Sequence, residues 1–150
     1  ADAYTPVVDS SAIPTGEIAS VEGTPMDFRT EKQIGQDIRA DFEQLHFTGG
    51  YDHNYVLGRP GEKKIMANAY CRESGIALEA ATDCCGVQFY AGNFIGEQTG
   101  KGGAAYHDRS AFCLESQFYP NAVNEPDFPS PVVKAGDTYH TETSYRFYLR

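Results

Sequence analysis

Alternation of side chains over several short runs is the feature that most narrows what this chain can fold into. Residues 63–71 place Ile65, Ala67, Ala69 and Cys71 on one side and Lys64, Met66, Asn68 and Tyr70 on the other. That two-residue period belongs to a strand whose two faces meet different surroundings. Residues 76–82 form a second run, and the Glu73-Ser74-Gly75 turn between the two predicts a hairpin. Runs 87–91 and 111–117 follow. The last run, 138–149, sets Tyr139, Thr141, Thr143, Tyr145, Phe147 and Leu149 on one face of a long antiparallel strand. Short strands punctuated by Gly and Pro predict an all-β, antiparallel sandwich rather than an α/β fold.

One short helix is predicted over 31–38, with Thr30 as N-cap and Ile34 and Ile38 on a common face. The proline-rich stretch 124–131 reads as an extended surface loop. A chain of 150 residues fits one domain with a real core, and neither repeat nor linker divides it.

Twelve basic against twenty-one acidic residues give a formal net charge of −9. Phosphate binding needs clustered Lys and Arg, so no nucleic acid is expected as a partner, whereas a neutral small molecule suits the charge. The longest apolar stretches are too short to span a bilayer as a helix, so no membrane is expected either. The chain begins Ala-Asp-Ala-Tyr, which does not read as a signal peptide. Its lack of an initial Met fits a processed chain or a piece of a longer one. Cysteines stand at 71, 84, 85 and 113 without a CxxC pair, and bridging neighbours such as Cys84 and Cys85 strains the backbone. Reduced thiols and a cytoplasmic location are therefore expected, with no metal site. Histidines at 46, 53, 107 and 140 share no ligand spacing. The loop from Gly96 to Gly103 misses the phosphate-loop pattern: three residues rather than four separate Gly96 from Gly100, and Gly102 replaces the Ser or Thr that would hold magnesium.

Three polar side chains interrupt aromatic and apolar strand-like runs: Asp52, Gln88 and Glu115. Asp52 reads either as a polar turn after Gly49-Gly50 or as an acceptor for sugar hydroxyls. Gln88 reads as a solvent-facing strand residue or as a side chain that reads a hydroxyl in either orientation, with Phe89 and Tyr90 walling a ring. Glu115 shares a strand face with Cys113 and Gln117, opposite Phe112, Leu114 and Ser116. It reads as a wet acidic residue or as a general base, since apolar surroundings raise a carboxylate's proton affinity.

Read together, these blocks resemble the aldose 1-epimerase (galactose mutarotase) family, and specifically its C-terminal half. The resemblance runs from Ala3-Tyr4-Thr5-Pro6 through Ile13-Pro14-Thr15-Gly16-Glu17 and the stretch 21–29. It continues in the blocks 51–57 and 87–94, in Phe112-Cys113-Leu114-Glu115-Ser116-Gln117, in Pro120-Asn121-Ala122-Val123-Asn124, and in the stretch 134–139. It implies a large antiparallel β-sandwich, here only its C-terminal portion over residues 1–150. It also implies interconversion of the α and β anomers of free hexoses such as galactose and glucose, without a cofactor. Glu115 is then the base that takes the anomeric proton, and Asp52 and Gln88 hold sugar hydroxyls. The family's acid histidine, a second histidine and an arginine lie in the N-terminal half. His53 follows Asp52 directly and so points away from it; it is not assigned as the acid. Cys85 replaces a proline usual before the Gly-Val-Gln block. An isolated C-terminal half would expose sheet faces and edges, so a partner is expected: the N-terminal half, or a second copy. A non-catalytic sugar-binding module of the same fold is the alternative. A hexose-phosphate epimerase would need arginines near the site, and no such cluster is present.

Overall fold

The computed structural model describes all 150 residues. In chain order the strands are β1 (Ala3–Tyr4), β2 (Ala19–Ser20), β3 (Asp52–Val56), β4 (Lys64–Tyr70), β5 (Ile76–Thr82), β6 (Gly86–Tyr90), β7 (Gln98–Thr99), β8 (Ala105–Tyr106), β9 (Cys113–Gln117) and β10 (Thr143–Leu149). A single short α-helix, α1 (Glu43–Thr48), precedes β3. A five-stranded sheet runs in the order β2-β1-β3-β6-β9, and a three-stranded sheet in the order β10-β5-β4. The strands of both sheets pair antiparallel, as the alternating sequence predicts.

The core lies where these two sheets meet. His53 and Tyr55 of β3 and Val87 and Phe89 of β6 occupy one face of the larger sheet and are buried. Met66 and Ala80 reach the same apolar cluster from the smaller sheet, joined by Met26, Ile38 and Leu45. Phe89 is its centre: its ring stacks on Tyr51 at 5.4 Å and meets Phe28 edge-on at 5.5 Å. Full burial of such a side chain contributes about 1.5–3 kcal/mol, with edge and stacking geometry adding a smaller part. Tyr51 and Tyr55 are buried without loss of hydrogen bonding, because their hydroxyls donate to the carbonyls of Pro25 and Met26, each at 3.0 Å.

Several expectations need correction. Residues 31–38 form turns rather than a helix. Ile38 is buried in the core and Ile34 packs beside it, but Gly35 and the Asp-rich flank favour turns over a continuous helical ladder. The α-helix is α1, a few residues later. In β4 a bulge between Ile65 and Ala67 shifts the register, so Met66 is buried and Ile65 is exposed. The final strand begins at Thr143, not at 138. The glycine-rich stretch closes into the small β7–β8 hairpin over a 3-10 turn, Lys101–Gly103. The loop at 124–131 is anchored rather than free, because Phe128 is buried edge-on against Tyr119 at 5.1 Å.

Candidate functional site

Asp52 is placed by the turn before it. Helix α1 ends at Gly49 in the left-handed region (φ 67°), and Gly50 follows at φ 139°. A side chain at Gly50 would also overlap Asn93. Asn93 needs that space: its Nδ2 donates to the carbonyls of Thr48 and Tyr51 at 3.1 and 3.0 Å. The chain is thereby handed into β3 with Asp52 as its first residue, which resolves Asp52 as a strand residue rather than a turn.

Pairing then does the assembly. Asn54 sits opposite Gln88, and Gln88 opposite Glu115. Asp52, Tyr90 and Cys113 form the next row, with Gly86 and Gln117 paired on the other side. With a period of two, every one of these residues faces away from the core. Gln88 Nε2 donates to Asp52 Oδ1 at 2.8 Å. Gln117 Nε2 donates both to Gln88 Oε1 at 3.1 Å and to Asn54 Oδ1 at 3.2 Å. Asp52, Gln88, Tyr90, Glu115 and Gln117 line an open cleft of about 410 Å³, bordered by Ala12, Phe94 and Pro120. That lies within the range of about 300–1,000 Å³ typical of small-molecule sites. A second cleft of about 470 Å³, lined by Pro60, Asp83, Val132, Tyr139 and His140 among others, lies apart from this polar face.

The structure brings the three candidates from the sequence, Asp52, Gln88 and Glu115, to one cleft. It differs in their surroundings. Glu115 is exposed rather than enclosed by its apolar neighbours. Phe89, expected beside Tyr90 as a wall, faces the core instead. Tyr90 does line the cleft, and its hydroxyl accepts the backbone N–H of Phe94 at 2.9 Å. Gln117 and Asn54 carry the hydrogen bonds beside Gln88, and the sequence reading does not reach them as site residues. Their signal was the same alternation, two residues from Glu115 and from Asp52.

Chemically, the cleft presents acceptors at both ends and an amide between them. A carboxylate accepts several hydrogen bonds, and an amide both donates and accepts, which matches a neutral molecule rich in hydroxyls. His53 is fully buried on the opposite face, edge-on to Tyr4 at 5.9 Å, and desolvation lowers its pKa to about 4. His107 pairs with Glu97 and His46 with Asp41, both at the surface, while His140 belongs to the second cleft. No group of three or more His, Cys, Asp or Glu is placed to hold a metal ion, and no helix is long and apolar enough to cross a membrane.

An antiparallel β protein with two carboxylates and an amide clustered on one sheet face is the class that fold and cleft define. Residues 1–146 match the family model described as aldose 1-epimerase, and the chain belongs to that family. It is 45% identical over 148 residues to the galactose mutarotase of Sus scrofa and 43% identical to that of Homo sapiens, in each case over 98% of this chain and 42% of the relative. It is 37% identical over 150 residues to the aldose 1-epimerase of Escherichia coli (strain K12), covering 43% of it. Among solved structures, an aldose epimerase homologue from C. elegans superposes with a TM-score of 0.79 at 31% identity, over 99% of this chain and 44% of that one. The galactose 1-epimerase of Lactobacillus acidophilus superposes with a TM-score of 0.62 at 20% identity, which speaks to the fold. The chain thus spans about two fifths of the length of the curated relatives it matches, and corresponds to their C-terminal part.

Proposed function

We propose that this chain is the C-terminal portion of a single β-sandwich domain that interconverts the α and β anomers of free hexoses such as galactose and glucose. The observation that carries this reading is the strand register that sets Asp52, Gln88 and Glu115, from two adjacent rows, on one open cleft. Glu115 takes the proton of the anomeric hydroxyl while an acid protonates the ring oxygen. The ring C–O bond then breaks, the carbonyl end rotates, and closure on the other face returns both protons. Protons are conserved and no atom changes oxidation state, so the cycle needs no cofactor. Moving both protons together keeps full charge from building on the open form. Asp52 and Gln88 grip neighbouring hydroxyls and hold the ring in place.

The acid comes from the N-terminal half of the protein. Two observations support this: no histidine lines the cleft, and β10 carries aromatic side chains on an uncovered sheet face. Self-association is the alternative way to cover that face. The buried free thiols of Cys84 and Cys85 favour a reducing compartment, the cytoplasm. The exposure of Glu115 favours a second reading, a sugar-binding module without turnover. The test is Glu115→Gln in the chain assembled with its N-terminal half. We expect mutarotation of α-galactose to fall by about 10²–10⁴-fold while galactose binding changes only a few-fold. An unchanged rate would refute Glu115 as base, and binding without turnover in the parent protein would establish the module.

A further inference from the structure

Beside Gln88 lies a second set of polar groups: Gln117, which also lines the cleft, and beneath it the buried Asn54 and Gly86. Asp52, as a carboxylate, can only accept, so Gln88 must turn its Nε2 toward Asp52 Oδ1. That leaves Gln88 Oε1 pointing at Gln117, which must therefore offer its own Nε2. The second hydrogen on that nitrogen goes to Asn54 Oδ1. One acceptor-only group thus dictates the orientation of three amides across three strands.

Asn54 is 2% exposed and its Nδ2 has no hydrogen-bond partner, so the contact from Gln117 to its Oδ1 is what orients its amide. It reaches Gln117 only because the residue between them is glycine. A Cβ on Gly86 would overlap Asn54 Oδ1 and stand 3.0 Å from Tyr119 Cδ1. Gly86 has an ordinary backbone conformation, so its requirement here is space and not φ.

We infer that Gly86, Asn54 and Gln117 are positioning residues that lock the Gln88 amide with its donor on Asp52. Asp52 Oδ2 and the second Nε2 hydrogen of Gln88 are then left to read a hydroxyl pair in one polarity. This inference rests on the sugar-binding reading of Asp52 and Gln88, but its own test does not depend on turnover. If the lock failed, Gln88 would keep Asp52 as its only anchor, and its amide could swing off the carboxylate into other rotamers. The hydroxyl pattern read by the cleft would then be scrambled, and the proton chemistry at Glu115 would be left intact.

The test uses the chain labelled with ¹⁵N-glutamine and assembled with its N-terminal half, carrying Gln117→Met, Gln117→Glu or Gly86→Ala. For Gln117→Met we expect KM for galactose to rise about five- to ten-fold, from the loss of the hydrogen bond that restrains Gln88. The Gln88 side-chain amide signals should shift and lose their protection from exchange. Gln117→Glu should raise KM further, because it sets an acceptor against Gln88 Oε1. Gly86→Ala should reproduce the Gln117→Met effect from a different strand. Gln117 lies outside the core, so its variants report even if Gly86→Ala does not fold. A purely structural role would lower Tm and leave KM and the Gln88 signals unmoved, which would overturn the inference. If the parent protein does not turn over sugar, the mutarotase reading fails, and the Gln88 signals alone still decide whether the lock exists.

Discussion

Strands β3 and β6 and strand β10 each turn aromatic side chains toward the face on which the core forms, yet those side chains end in opposite environments. Tyr55 and Phe89 of the larger sheet are 6% and 8% exposed, whereas Phe147 and Leu149 of β10 are 68% and 81% exposed. Register explains what was meant for them. Tyr145 pairs with Ala80 and Phe147 with Leu78, so these two β10 aromatics lie on the side that Ala80, fully buried, turns toward the core. The inner face of the smaller sheet continues beyond the larger sheet, and nothing in this chain covers it. Burial is thus decided by what lies above a strand, not by the strand's own pattern. The polar cleft belongs to the finished region and the uncovered apolar face to the other.

The largest effect that would sharpen this contrast is in the finished region. Phe89→Ala removes the ring that Tyr51, Phe28 and Phe112 pack against, and we expect a loss of about 3–5 kcal/mol in denaturant melts. A loss below about 1 kcal/mol would mean that the core is not centred there.

Acid should unsettle the same region next. His53 has its folded pKa lowered to about 4 by burial, against an ordinary value of 6.5. Above pH 6.5 the ring is neutral in both folded and unfolded chains, and stability is at its full value. As pH falls toward 4 the unfolded ring takes up a proton that the buried ring refuses, so about 3 kcal/mol is lost. His53→Leu should flatten that part of the stability–pH curve, and an unaltered curve would contradict the assignment.

A smaller effect is expected where the two regions touch. The Tyr145 hydroxyl donates to the Leu114 carbonyl at 2.8 Å, and the hydroxyls of Ser116 and Thr143 meet at 2.6 Å. Tyr145→Phe should cost about 1 kcal/mol and leave the cleft unchanged by sugar binding. Smallest of all is Phe147→Ala in the chain alone, within about 0.5 kcal/mol as for other exposed positions. The same substitution should weaken association with the N-terminal half measurably, and an equal effect in both settings would break the comparison.

Period-two alternation made the strands legible, and with them the fact that Asp52, Gln88 and Glu115 could share a face. It did not reveal the bulge in β4, because one extra residue leaves composition unchanged while it inverts which of Ile65 and Met66 is buried. The segment 31–38 carries helix-compatible spacing, but Ile34 and Ile38 are drawn to the core by turns. Phe89 and Tyr90 are adjacent aromatics that only register could separate into core and cleft. The loops that bring Ala12 and Pro120 to the rim left no mark in the sequence, since their approach depends on tertiary packing.

The most direct test of the central claim, that this chain holds the base and the sugar grip of a divided active site, is polarimetry of freshly dissolved α-galactose with the chain alone and with its N-terminal half added. The account predicts no acceleration by the chain alone and clear acceleration on complementation. Acceleration by the 150-residue chain by itself would contradict it, because the acid would then have to lie within these residues.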